Sequence, residues 1–284
     1  MTIQKGNKNN GFDYPKERIA QEFNYLKQNI DNNKAYESRL AENSNLNRYR
    51  DIRPYKDNIV QINSGNKYIN ASWINMPENH FFITTQGPLD TTIDDFWEMF
   101  YTTNSEIIVM LCGLVENNKI KCAKYWDSNK ISNFDLKPIN SVFEYGDGII
   151  LRNFNINKKM SIDICTKTVI QLHYTCWEDH TAPDETSYHK LINLIKIIDI
   201  YRSENRPIIV HCSAGVGRTG TFIALYNLYC QIIRQKNDST KSQIEFSIMN
   251  TVRKLKEMRA HLVENFDQYL FIYQFVDLLL KEYN

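Results

Sequence analysis

The chain has 284 residues, a formal net charge of +1 and 42% hydrophobic residues. That length and apolar content suit a substantial core, and the near-neutral balance argues against a nucleic-acid surface, where a basic excess is expected. No run reaches the length of a membrane span, so no membrane insertion is expected, and the polar start MTIQKGNKNNGF lacks the apolar core of a secretion signal.

The cysteines at 112, 122, 165, 176, 212 and 230 form no C-x-x-C pair and read as reduced thiols of an intracellular, cytoplasmic protein. Richness in Asn, Ile, Lys and Tyr is the signature of an AT-rich coding genome, such as that of an insect virus or a parasite. Nothing resembles an interdomain linker, and a monomer is expected.

In chain order, residues 1–13 are expected to lack order. Tyr14-Pro15 opens a helix with Ile19, Phe23 and Leu26 on one face, and the polar stretch 29–47 reads as loop. In Asn47-Arg48-Tyr49-Arg50-Asp51, ahead of Pro54, bare chemistry makes Tyr49 an amphipathic surface ring. Strands are expected over 58–62, 67–74 and 81–86, separated by Asn, Ser and Gly turns. The spacing predicts a helix over 92–101 with Ile93, Phe96, Trp97 and Phe100 aligned, then a buried strand over 106–112. Glu116 and Lys121 flank the next turn, where two solvated charges are the ordinary case.

Residues 127–147 read as loop, and strands come next over 148–156 and 167–176, the second running into Trp177-Glu178-Asp179. An apolar helix over 186–201 leads to the short run Ile208-Ile209-Val210 behind Pro207, which suits a buried strand. Helices over 221–234, 247–259 and 266–283 complete the chain, and His261-Leu262-Val263-Glu264 joins the last two.

Between the short strand and the helix from 221 lies HCSAGVGRTG, residues 211–220. Ser213, Ala214, Gly215, Val216 and Gly217 carry little bulk, so their N–H groups can converge on one anion at the positive end of the following helix. Cys212 sits at the base of that phosphate cradle with Arg218 facing it. A thiolate is the nucleophilic form of cysteine, and amide dipoles and a cation favour it. The Arg218 fork suits two phosphoryl oxygens at once, and Thr219 is placed to hydrogen-bond the sulfur. A Walker loop would need Gly-Lys-Ser/Thr, which is absent.

Through His211, Cys212, Gly215, Gly217, Arg218, Thr219 and Gly220 the chain resembles the cysteine-dependent protein tyrosine phosphatases. The resemblance, across roughly residues 15–284, implies a single α/β domain over 14–284 with a twisted mixed sheet and helices on both faces. The implied reaction is hydrolysis of phosphotyrosine in partner proteins through a phosphocysteine, without metal or cofactor. The same resemblance assigns roles elsewhere. Tyr49 stacks on the substrate ring, Asp51 holds the substrate backbone, Glu116 orients Arg218, and Lys121 approaches the loop that carries the general acid, Asp179. Gln268 matches the second of two glutamines that position the hydrolytic water.

The chain also departs from the family pattern. Leu46 stands where a lysine is usual, Glu178 replaces the proline before Asp179, His261 stands where many members have glycine, and Glu264 replaces the first glutamine. Glu264 accepts but cannot donate a hydrogen bond and repels a dianion, which predicts slow breakdown of the phosphoenzyme. Two alternatives stay open: a phosphotyrosine-binding trap with weak turnover, and a broader phosphatase acting on phosphoserine, phosphoinositide or RNA 5′ phosphate, against which the NRYRD segment argues.

Overall fold

The computed structural model describes residues 4–6, 14–28, 41–62, 67–77, 80–159, 166–178, 181–183, 186–238, 240 and 243–282. In chain order its elements are β1 (Gln4–Gly6), α1 (Lys16–Gln28), β2 (Ala71–Met76), β3 (His80–Thr85), α2 (Ile93–Thr102), β4 (Ile107–Met110), β5 (Val115–Glu116) and β6 (Lys119–Ile120). The second half comprises β7 (Phe134–Pro138), β8 (Phe143–Glu144), β9 (Ile149–Lys158), β10 (Lys167–Tyr174), α3 (Ser187–Tyr201), β11 (Ile208–His211), α4 (Gly217–Asn237), β12 (Ile244–Phe246), α5 (Ile248–Met258) and α6 (Phe266–Glu282).

β4 and β11 are unbroken runs of buried residues, as strands covered on both faces must be. They lie at the centre of a sheet ordered β2-β3-β11-β4-β10-β9-β7, with β8 also pairing β9. β11 runs parallel to β3 and β4, and β10 runs parallel to β4. β2, β9 and β7 pair antiparallel, so the sheet is mixed. Helices flank both faces. Phe96 of α2 packs on Tyr125 and His211, while α3 and α4 are tied together by the Tyr226 hydroxyl, which donates to Asp199. β11 is therefore central, and the loop leaving its carboxyl end sits where open α/β sheets place their ligands.

Several expectations need correction. Residues 58–62 form no strand but isolated bridges, Ile59 to Ser72 and Ile62 to Lys67. The Asn58 amide bonds the carbonyls of Trp73 and Met258, which draws the backbone off any ladder. The expected loop over 127–147 contains β7 and β8. Phe134 and Leu136 point inward between polar neighbours, a signal too short to stand without β9 as partner. α4 begins at Gly217, ahead of the expected 221, because its first turn is made of small residues without an apolar period. The β5–β6 hairpin turns on Asn117 and Asn118, both at positive φ, a two-residue turn that asparagine tolerates. Of the segment expected to lack order, residues 1–3 and 7–13 lie outside the described residues, and Gln4–Gly6 pairs with β12. No helix among the described residues is long and apolar enough to cross a membrane.

Candidate active site

The loop from Cys212 to Gly217 turns back on itself at Gly215, whose φ of +71° favours glycine. A Cβ there would stand 2.2 Å from the Thr85 carbonyl oxygen. This turn aims the Gly215 N–H at Cys212 Sγ, 3.3 Å away. The carbonyls of Ala214 and Gly215 face the other way, toward Arg259, which has no exposed surface. Arg259 Nε donates to the Gly215 oxygen at 3.1 Å and Nη2 to the Ala214 oxygen at 3.3 Å. Its remaining bonds reach Asn70 Oδ1 at 2.7 Å and Ser72 Oγ at 3.1 Å. Burial lowers the pKa of Arg259 to about 10, which leaves it a cation at neutral pH. Carbonyls held outward by a cation leave the amides to face inward, the polarity an anion requires.

Arg218, in the first turn of α4, is clamped by Glu116 of β5 in a bidentate pair, both bonds 2.7 Å. Glu116 also accepts the Gly113 N–H at 2.8 Å. Burial works against the charge on Arg218, but the Glu116 carboxylate and the nearby Cys212 and Cys112 more than offset it, so its pKa stands above the ordinary value. Arg218 Nη1 further donates to the carbonyls of Leu111 at 2.9 Å and Trp177 at 3.0 Å. The second of these ties the guanidinium to the loop following β10. Trp177 is buried and donates Nε1–H to the Thr181 carbonyl, while Thr181 Oγ1 donates to the Glu178 carbonyl. Glu178 is exposed, and the proposed acid Asp179 lies outside the described residues.

On the opposite rim, Ser213 Oγ donates to the Lys121 carbonyl at 3.0 Å. A serine hydroxyl has one proton, so the 2.8 Å contact between Tyr49 and Ser213 is donated by the Tyr49 hydroxyl. The segment before it is fixed through Asn47, whose Oδ1 accepts from Asn70 and Tyr68, and through Arg48, which bonds the carbonyls of Gly87 and Pro88. Asp51 is exposed, and Lys121 is buried. One cavity brings together Tyr49, Cys212, Gly217, Arg218, Glu264 and Gln268. Gln268 is buried with its Oε1 on the Glu264 N–H at 3.0 Å. The side chains of Glu264 and Gln268 crowd Gly217, where a Cβ would stand 2.9 Å from both Glu264 Oε2 and Gln268 Nε2.

One expectation changes here. Thr219 is fully buried and its hydroxyl makes no hydrogen bond to any described group, so the expected bond to the Cys212 sulfur is not formed. His261 has φ +65° and the β-branched Val263 φ +59°. A half-buried imidazole thus occupies a left-handed position that glycine would adopt without strain, and Val263 is held in an unfavourable region by buried packing under Gly220. Arg259 as a support of the loop was not expected from the sequence. Its one signal was a charge just past the end of α5, four residues after the buried Leu255.

The sequence model described as protein-tyrosine phosphatase matches residues 43–277. The chain belongs to the protein-tyrosine phosphatase family. Human tyrosine-protein phosphatase non-receptor type 20 is 38% identical over 248 residues, covering 84% of this chain and 56% of that protein. Tyrosine-protein phosphatase 69D of Drosophila melanogaster is 37% identical over 273 residues, covering 90% of this chain and 18% of that protein. The chain thus spans about half the length of the first relative and less than a fifth of the second. Among solved structures, PTPN18 in complex with phosphorylated HER2 peptides superimposes with a TM-score of 0.79 at 25% identity, covering 92% of each chain. The mixed sheet with flanking helices is the tyrosine phosphatase fold.

Proposed function

We propose that the protein hydrolyses phosphotyrosine in proteins through a phosphocysteine on Cys212. The observation that carries this reading is that Cys212 and Arg218 line one cavity rimmed by Tyr49, with the Gly215 amide on the sulfur and Glu116 clamping the guanidinium. In the first step the Cys212 sulfur attacks phosphorus in line as the P–O bond to tyrosine breaks, and Asp179 gives its proton to the leaving oxygen. Arg218 and the loop amides of 213–217 stabilise the equatorial oxygens of a loose transition state. In the second step water attacks phosphorus, Asp179 takes the water proton, and phosphate leaves with the sulfur restored as thiolate. Asp51 is assigned to the substrate backbone, Lys121 to the acid loop and Gln268 to the water. The role of Asp179 rests on sequence alone. A cytoplasmic setting belongs to this reading, and the free thiols of Cys112, Cys122, Cys176 and Cys212 fit it.

A second reading, a trap that binds phosphotyrosine and releases it slowly, is favoured by the Glu264 carboxylate on the wall of the cavity. Single-turnover and steady-state kinetics on a phosphotyrosine peptide separate the two. A burst followed by a slow steady rate assigns the chemistry to Cys212 and the delay to hydrolysis, and steady turnover without a burst gives an ordinary phosphatase. Binding with neither phase sinks the catalytic reading.

A further inference from the structure

Behind the cavity, on the far side of Cys212, four side chains form one hydrogen-bonded line. Arg152 Nη1 donates to Gln171 Oε1 at 3.0 Å, across the paired strands β9 and β10. Gln171 Nε2 lies 2.6 Å from the Tyr125 hydroxyl, which lies 2.9 Å from His211 Nε2. His211 Nδ1 then lies 3.1 Å from the carbonyl oxygen of Cys212. Gln171, Tyr125 and His211 are buried, and Arg152 is half-buried with its guanidinium 4.7 Å over the Trp126 ring.

Only one placement of protons satisfies all four contacts. A guanidinium can only donate, so Arg152 fixes the carbonyl end of Gln171 and turns the amide N–H₂ toward Tyr125. At the other end a carbonyl can only accept, so His211 carries its proton on Nδ1. Burial holds the His211 pKa down to about 3, so the ring is neutral and Nε2 is an acceptor. The Tyr125 hydroxyl must therefore accept from Gln171 and donate to His211. Every donor in the line points from the Arg152 cation toward Cys212, the arrangement in which successive bonds polarise one another.

We propose that Arg152 and Gln171 are positioning residues for the nucleophile, setting the His211 tautomer and its bond to the Cys212 carbonyl and so favouring the thiolate. The proposal rests on Cys212 being the nucleophile. The other charged or titratable groups facing Cys212 are Arg218 of α4, Arg259 after α5, and Cys112 and Cys122 after β4 and β6. His173 of β10 and Arg48 face His211, and Glu116 and Glu264 approach through Arg218 and the cavity wall. None of these lies on the line; His173 also feels the Arg152 charge, which Gln171→Leu and Arg152→Lys leave in place.

The test is the pH dependence of Cys212 alkylation by iodoacetate, located by mass spectrometry, in wild type, Gln171→Leu, Arg152→Met and Arg152→Lys, each checked for cooperative thermal unfolding. Gln171→Leu and Arg152→Met are expected to move the alkylation midpoint upward by about half a unit to one unit, slowing the reaction roughly three- to tenfold on its acid limb. The KM for a phosphotyrosine peptide should stay within about twofold, and Arg152→Lys should restore most of the shift, since an ammonium can still donate to Gln171. Should Gln171→Leu not fold, the Arg152 pair carries the comparison with the ¹⁵N shifts of His211, whose Nδ1-protonated fraction should fall in Arg152→Met. Folded variants whose profiles superimpose on wild type would overturn the relay while leaving the phosphatase reading intact. Wild type that turns over substrate without a reactive Cys212 would overturn that reading itself.

Discussion

Arg259, wholly buried, donates its Nε–H to the carbonyl of Gly215 at 3.1 Å, and the N–H of the same Gly215 points at the Cys212 sulfur at 3.3 Å. One peptide unit is thus held from behind by a cation so that its neighbour's amide faces the nucleophile. Replacing Arg259 by Lys keeps the charge and loses the fork that reaches Gly215, Ala214, Asn70 and Ser72 together. The expected outcome is a loss of about 2–4 kcal/mol in urea unfolding and a fall in kcat/KM larger than the rise in KM, because buried acceptors lose their partner. Unchanged stability would mean that the loop holds its shape without it.

Among the described glycines at positive φ, Gly215 should tolerate alanine least. The new methyl meets a backbone oxygen at 2.2 Å in a conformation that disfavours side chains. A destabilisation of about 2 kcal/mol or more with loss of phosphate affinity is expected, measured by unfolding and by vanadate inhibition.

Glu264→Gln should leave the single-turnover rate unchanged and raise the steady rate severalfold, shrinking any burst. The substitution removes a carboxylate from the cavity wall and gives the water a donor as well as an acceptor. Equal steady rates would place the slow step elsewhere.

Asp179→Asn should slow phosphotyrosine and poor aryl leaving groups about a hundredfold, and good leaving groups far less, since only the former need the proton. A uniform loss across leaving groups would remove Asp179 from the role of acid.

Stability should fall on the acid side of neutrality. Burial lowers His80 and His173 to about 4 and His211 to about 3. The unfolded chain, with ordinary imidazoles, binds more protons than the folded one in this range. Their contribution is therefore complete above about pH 6.5 and is lost as pH falls toward 4, on the order of 2 kcal/mol each at about pH 5. Urea midpoints at neutral pH and near pH 5 check this, and imidazole protons that do not titrate across the interval identify the three rings. A flat midpoint would rule the mechanism out.

What the sequence by itself determined is local. The run Ile208–Val210 followed by small residues, with Cys and Arg at fixed spacing, specifies a buried strand, a tight turn and a helix N-terminus, because each depends only on near neighbours. The faces of α1 and α2 come in the same way from apolar spacing, and their expected residues are buried. What the tertiary structure decided is every relation across long sequence separations. Arg259 meets Gly215, Glu116 meets Arg218, and Arg152 reaches Cys212 through three side chains only once the sheet order sets β9, β10, β4 and β11 side by side. β7 and β8 were illegible for the same reason, since a short half-polar strand owes its hydrogen bonds to a partner that the local sequence does not name. Thr219 shows the converse: spacing puts its hydroxyl near the sulfur, but the first turn of α4 buries it without a partner among the described residues.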